Sequence, residues 1–304
     1  MSCPVILSSL SQFPVGSDIV GWVELGAYHM KIAVILGSNS DVPAGAWTRQ
    51  EIPTDYGLVP LWQSPSSADP QHPQLALLLR HGEQHELLPH LVNFRGNFWA
   101  LKHWGCQAIV SFSVMGVLQA GIPLTRPILF DDIFFPSNQL PDGSACTLFD
   151  QPAQAGRGHF LVEHPCSPTL RAHLRRLLPH PIEGGIYGHV FGPRFSTRSE
   201  LTYLQKLGIT AISQTSGPEF VLAGELGIPY ALVGFGVDYA DPDPGRRSSL
   251  ADLNQNLRQW SLTLPQIVQA LLTYDWPAPL PFDQGYFYHI EHDLPRPASI
   301  AQNP

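Results

Sequence analysis

Short apolar runs recur along this chain, most closed by glycine, serine or a charged residue and followed by a segment with helical spacing. That alternation restricts the fold more than any other feature. Residues 31–36, 75–79, 108–112, 127–130, 185–191, 209–213 and 229–235 read as strands. The helices between them carry explicit signals. Residues 90–104 place Leu91, Phe94, Phe98 and Leu101 at helical spacing and close on Gly105. Residues 167–178 read as a short basic helix. Thr197-Arg198-Ser199-Glu200 is a capping box opening a helix that ends near Gly208. Ser216-Gly217-Pro218-Glu219 reads as a second one, with proline in its first turn. A last helix runs over 249–274 from Ser249-Leu250-Ala251-Asp252.

Strand and helix in alternation predict one α/β domain, a mainly parallel mixed central sheet with helices on both faces. We place that domain at residues 30–275. Residues 1–29 form an N-terminal extension without clear periodicity, and 276–304 a proline-rich tail wrapping the surface. A long loop is expected over 134–158, rich in Pro, Gly, Ser, Asp and Gln.

Charge and cysteine usage exclude several classes. A net charge of −8 and an isoelectric point near 5.9 argue against a nucleic-acid binder. No apolar run approaches the ~20 residues of a membrane span, and no basic region precedes the apolar patch at the N-terminus. Cys3, Cys106, Cys146 and Cys166 form no C-x-x-C pair, so free thiols in a reducing compartment are expected. The expected localisation is cytoplasmic.

Chemistry gathers at the strand ends, where ligands of open α/β sheets sit. Ser38 follows the first strand, Arg80-His81 the second, Ser113 precedes Met115-Gly116, and Thr215 precedes a helix. Arginine supplies paired fixed donors, hydroxyls supply short ones, and a helix N-terminus supplies free N–H groups and a favourable dipole. This mix suits an anion. His85-Glu86-Leu87-Leu88-Pro89-His90 resembles a zinc motif, but its second histidine is one residue late and Pro89 breaks the helix that would align the pair. No metal site is expected. Gly184-Gly185 and Gly234-Phe235-Gly236 are too sparse for a dinucleotide fingerprint.

Three segments carry a family resemblance that spans roughly residues 30–275. They are Arg80-His81-Gly82 with Pro89, Asn93, Asn97 and Ala100-Leu101-Lys102; Gly192-Pro193-Arg194-Phe195-Ser196-Thr197-Arg198-Ser199-Glu200; and Thr215 with Pro218-Glu219. The chain resembles the trimeric purine nucleoside phosphorylases, especially the 5′-methylthioadenosine phosphorylases. The resemblance implies a nucleoside phosphorylase-like fold, a homotrimer, inorganic phosphate as cosubstrate and no other cofactor. It assigns Ser38, Arg80, His81, Ser113 and Thr215 to phosphate. It assigns Val114, Phe195, Gln214, Val237 and Asp238 to the nucleoside, with Asp238 as the catalytic acid. His159 would reach the 5′ region of a neighbouring subunit, and Leu250 and Leu253 would make an apolar wall for a 5′ substituent.

The pattern breaks twice. Gln214 stands where the family usually has methionine, and Ala240 where it has a second aspartate credited with protonating purine N7. Loss of a general acid costs roughly 10²–10⁴ in rate. Two readings therefore stand beside phosphorolysis of 5′-methylthioadenosine: a phosphorylase of different base specificity, and a catalytically weak ligand-binding homologue. A nucleosidase using water is disfavoured, since hydrolysis has no use for a phosphate cradle.

Overall fold

The computed structural model describes residues 30–38, 40–65, 69 and 72–290; the expected extension over 1–29 and the end of the tail, 291–304, lie outside the described residues. In chain order the strands are β1 (Lys31–Leu36), β2 (Thr48–Thr54), β3 (Gly57–Gln63), β4 (Gln74–Leu79), β5 (Ala108–Val117), β6 (Pro127–Leu129), β7 (Asp132–Phe134), β8 (Gly158–Val162), β9 (Ile182–Glu183), β10 (Ile186–His189), β11 (Ala211–Ser213), β12 (Tyr230–Tyr239) and β13 (Gly285–His289). The α-helices are α1 (Phe94–Trp104), α2 (Pro168–Leu177), α3 (Arg198–Lys206), α4 (Ser216–Glu225) and α5 (Leu250–Leu272).

Eleven strands share one mixed sheet. Its centre is parallel: β1 lies between β4 and β5, and β12 runs along the full length of β5. Antiparallel strands surround this centre, with β2 and β3 extending the β4 edge and β11 joining the far end of β5. Burial on both faces explains the unbroken apolar runs. In β1, Ala33 and Ile35 pack with α1 and α4 residues such as Phe98 and Leu222, while Ile32, Val34 and Leu36 pack with Leu170 of α2 and Trp260 of α5.

Helix ends follow the sequence signals with one exception. Asn93 caps α1 through Gly96 N, and Gly105 closes it in the left-handed region at φ 86°. Thr197 and Ser249 form full capping boxes with Glu200 and Asp252. The box expected at Ser216–Glu219 does not form. Thr215 is the N-cap of α4 without a side-chain cap, and the Glu219 carboxylate turns inward to a buried arginine.

The tail does not wrap the surface as a separate piece. Trp276, Leu280 and Phe287 are buried, and β13 pairs antiparallel with β8. Gln284 is fully buried, accepting from Tyr230 N at 2.6 Å and donating to the Pro165 carbonyl at 2.7 Å. Residues 276–290 thus return into the body.

Candidate active site

The carboxyl ends of β1, β4, β5 and β12 open onto a cavity of about 330 Å³. The structure brings together Ser38, His81, Ser113, Val114, Phe195, Gln214, Thr215, Val237, Asp238 and Leu253 on its walls. The remaining three expected residues do not line it. Arg80 lies outside the wall and is 1% exposed; Leu250 is 73% exposed at the first turn of α5; His159 is exposed on β8. Sequence reasoning missed His85, Ser213 and Leu257 as wall residues. Leu257 follows Leu253 by one helical turn, so its spacing was the available signal.

Strand geometry separates two ends of the cavity. Ser113 and Gly116 lie three residues apart on β5, about 10 Å at the usual strand rise. Near Gly116 the pairing with β12 is interrupted: Gly236 pairs with Met115 and Asp238 with Gly116, which leaves Val237 as an extra residue. In a regular strand Val237 and Asp238 would point to opposite faces. The bulge lets both face the cavity. Gly116 makes the room, since a Cβ there would lie 3.3 Å from Asp238 Oδ1 and 2.8 Å from Ala240 Cβ. Burial pushes the Asp238 carboxyl above the ordinary aspartate range, with Arg247 opposing it.

At the Ser113 end the organising group is a buried ion pair. Arg80 Nη1 donates to Glu219 Oε1 at 2.6 Å, and the two side chains are 1% and 2% exposed. Desolvating two charges costs several kcal/mol per ion unless their remaining groups are satisfied. Here most are. Arg80 also donates to Thr215 Oγ1 at 3.1 Å, Ser216 Oγ at 3.2 Å, Ser111 Oγ at 3.0 Å and the Phe112 carbonyl. Glu219 Oε2 accepts from Ser111 at 2.6 Å and Tyr230 at 2.9 Å. The exception is Arg80 Nε, buried without a partner. Glu83 and Glu86, the nearby acids in sequence, are engaged elsewhere, by Arg49 and by Gln84 N.

His81 Nδ1 lies 2.8 Å from the Leu87 carbonyl. A carbonyl only accepts, so Nδ1 carries the proton and Nε2 holds the lone pair when the ring is neutral. Burial, reinforced by Arg80, lowers this imidazole to about 4. The His85 ring stacks 4.6 Å from it. Ser113 Oγ is 3.0 Å from Ser213 Oγ, which in turn is 3.0 Å from the Tyr187 hydroxyl.

The free helix N–H groups expected at the start of α4 are already engaged. Ser216 N donates to Tyr187 Oη and Gly217 N to His189 Nδ1, each at 3.2 Å. What α4 presents to the cavity is the Thr215 side chain. At the mouth, Phe195 is 87% exposed on a loop held by an Arg194–Glu200 ion pair at 2.7 Å. Gln214 Nε2 ties that loop down by donating to the Arg194 carbonyl at 3.0 Å.

The two buried histidines make stability pH-dependent. Burial lowers His189 to about 3, beside the value of about 4 for His81. Below the ordinary value near 6.5 the unfolded chain binds protons that these folded imidazoles refuse, so stability present above 6.5 is lost as pH falls. Each histidine contributes up to about 1.4 kcal/mol per pH unit. Calorimetry should show a lower Tm at pH 5 than at pH 7.5. A His81→Asn, His189→Asn variant should show a shallower decline.

Among the described residues no group of three or more His, Cys, Asp or Glu is placed to hold a metal ion, and no helix is long and apolar enough to cross a membrane. Cys106, Cys146 and Cys166 are free and buried, and burial pushes the first and last of these thiols up to about 12. Reactive-cysteine chemistry finds no support in them.

A mixed sheet flanked on both faces by helices, with hydroxyls and a buried arginine at one end of its cavity and a buried carboxyl at the other, has the architecture of nucleoside phosphorylases. The model of the phosphorylase superfamily matches residues 31–273, and the chain belongs to that superfamily. It is 33% identical over 225 residues to S-methyl-5′-thioadenosine phosphorylase of Drosophila melanogaster, covering 69% of this chain and 73% of the relative. Against the protein of that name from Danio rerio it is 32% identical, covering 69% and 76%. A 6-oxopurine nucleoside phosphorylase of Pyrococcus furiosus is 28% identical over 80% of this chain and 92% of its own. Among solved structures, methylthioadenosine phosphorylase of Schistosoma mansoni in complex with tubercidin shares the fold at TM-score 0.68 and 22% identity, over 80% of this chain and 90% of that one.

Proposed function

We propose that this protein is a pentosyltransferase that cleaves a purine nucleoside by phosphorolysis, with 5′-methylthioadenosine the favoured substrate. The C1′–N9 bond breaks, a phosphate oxygen takes C1′, and the products are the free purine and 5-methylthioribose 1-phosphate. The carrying observation is the arrangement along β5: Ser38, His81, Ser113 and Thr215 gathered over the Arg80–Glu219 pair at one end, Asp238 at the other.

Each end has a defined task. Cleavage develops positive charge on the ribose, which a phosphate beneath C1′ stabilises as it attacks. The hydroxyls of Ser38, Ser113 and Thr215 are the donors that line the cavity for that phosphate, with the Arg80 guanidinium directly behind Thr215. Neutral His81 offers a lone pair at Nε2, suited to the proton of a monohydrogen phosphate. The departing base needs a proton. Asp238, whose burial favours its protonated form, is the acid within the cavity to supply it. Leu253 and Leu257 form an apolar wall suited to a methylthio group. His159, exposed outside the cavity, takes a role only if another copy of the chain presents it, as in a homotrimer; Leu250, 73% exposed, stands apart from the wall. We expect a cytoplasmic protein with no cofactor beyond phosphate.

Ala240 beside Asp238 favours a second reading, a phosphorylase that prefers a 6-oxopurine base, in keeping with the name of the Pyrococcus relative. Base release from 5′-methylthioadenosine, adenosine, inosine and guanosine, each with and without phosphate, separates the readings. Phosphate-dependent release fastest from 5′-methylthioadenosine supports the first; preference for inosine or guanosine supports the second. No release from any of them counts against both. Under the first reading, Ala240→Asp supplies an alternative acid and should restore part of the rate lost in Asp238→Asn, measured on the same panel.

A further inference from the structure

Thr215 would ordinarily cap its own helix. Threonine is a favoured N-cap residue because its hydroxyl accepts from the N–H of the second or third helical residue. Here it does not, and the reason can be read from the donors of α4 in turn. The first, Ser216 N, goes to Tyr187 Oη at 3.2 Å. The second, Gly217 N, goes to His189 Nδ1 at 3.2 Å. The third residue is Pro218, which has no N–H. No donor is left for Thr215, whose Oγ1 accepts from Arg80 at 3.1 Å and lines the cavity.

Tyr187 and His189 are two residues apart on β10, so they project from the same face of the strand, toward α4. Both are buried, at 0% and 8% exposure. His189 can only accept at Nδ1 if it is neutral, and its burial keeps it so. Gly217 permits the approach: a Cβ there would lie 2.6–2.8 Å from the imidazole. Tyr187 Oη also donates to the Ser213 carbonyl at 3.0 Å and lies 3.0 Å from the Ser213 hydroxyl, and Ser213 Oγ is 3.0 Å from Ser113 Oγ. One tyrosine thus touches both hydroxyl-bearing arms of the site.

We propose that Tyr187 and His189 are positioning residues for the phosphate site: they cap α4 from the neighbouring strand and leave the Thr215 hydroxyl, and through Ser213 that of Ser113, to the anion. The inference rests on the phosphate reading above. It identifies what happens when the His189 cap is lost: Gly217 N is freed, Thr215 rotates to cap its own helix and the cavity loses a donor. Loss of the Tyr187 hydroxyl acts instead through Ser213 on Ser113.

The test is calorimetric titration of inorganic phosphate into the full chain, as wild type, Tyr187→Phe, His189→Leu and His189→Asn, with the KM for phosphate and for nucleoside measured on each. Losing one hydrogen bond of this kind should weaken phosphate binding roughly 10-fold, with the nucleoside KM within about twofold. Asparagine carries an acceptor where Nδ1 stands, so His189→Asn should restore phosphate binding that His189→Leu loses. In a Thr215→Val background, His189→Leu should have less effect than in the wild type, because the two act through one hydroxyl. Gly217→Ala, which leaves all three side chains in place but crowds the imidazole, should mimic His189→Leu. Unchanged phosphate affinity in Tyr187→Phe and His189→Leu, or equal loss for phosphate and nucleoside, would overturn the proposal. A wild-type chain that binds no phosphate would remove the phosphate reading itself, and the proposal with it.

Discussion

Replacing Asp238 with asparagine is expected to lower kcat on 5′-methylthioadenosine by about 10²- to 10⁴-fold, the usual worth of a general acid. Phosphate affinity should stay within about twofold, because Asp238 lies at the Gly116 end of β5 and the residues proposed to hold phosphate at the Ser113 end. The two effects separate because the substitution is nearly isosteric and keeps a hydrogen-bonding group on the base while removing the proton. Steady-state kinetics with each substrate varied in turn reads both. The wild-type rate should also fall as rising pH ionises the buried carboxyl, and the Asn variant should lose that limb. A variant that keeps its full rate would place the acid elsewhere.

Glu219→Ala carries the largest expected effect on stability. It leaves the Arg80 guanidinium charged, almost wholly buried and without its counterion. Removing one partner of such a pair costs about 3–5 kcal/mol, a large share of the 5–15 kcal/mol by which typical domains are stable. Urea unfolding should show it as a lowered midpoint. The paired change Arg80→Met, Glu219→Leu removes both charges and should recover most of that stability, since apolar side chains of similar volume replace buried ion pairs at little cost. It should not recover phosphate binding. Stability regained with binding still lost is the signature expected of an arginine that does more than hold the fold together. Binding retained in the double variant would make Arg80 purely structural.

The parallel centre of the sheet was legible because strands buried on both faces must be apolar throughout, as in 31–36 and 75–79. The hairpin of β2 and β3 was not. β2 reads Thr-Arg-Gln-Glu-Ile-Pro-Thr and buries only Ile52, so it carries no apolar run and too little alternation to count. β7 and β9 are only three and two residues long, and β13 lies in a proline-rich stretch that its composition disguised. Strand order depends on long-range pairing, which no local pattern encodes.

The site divides along the same physical line. Residue types at strand ends could be read directly, and the cavity gathers ten of those expected. Partners could not. Glu219 sits at the third helical position after a serine, a spacing that signals a capping box; a buried arginine 139 residues away in sequence takes it instead. Tyr187 and His189 looked like ordinary strand residues, and only the packing of β10 on α4 gives them a task. The β12 bulge that turns both Val237 and Asp238 into the cavity is an irregularity of pairing that the apolar pattern does not record.

The central claim is that phosphate, not water, takes the ribosyl group. The most direct measurement is phosphorus NMR of a reaction with 5′-methylthioadenosine and inorganic phosphate, followed alongside adenine release. The account predicts a sugar 1-phosphate ester formed in equal amount to free adenine, and no adenine when phosphate is left out. Adenine released without phosphate, or without an ester signal to match it, would contradict it.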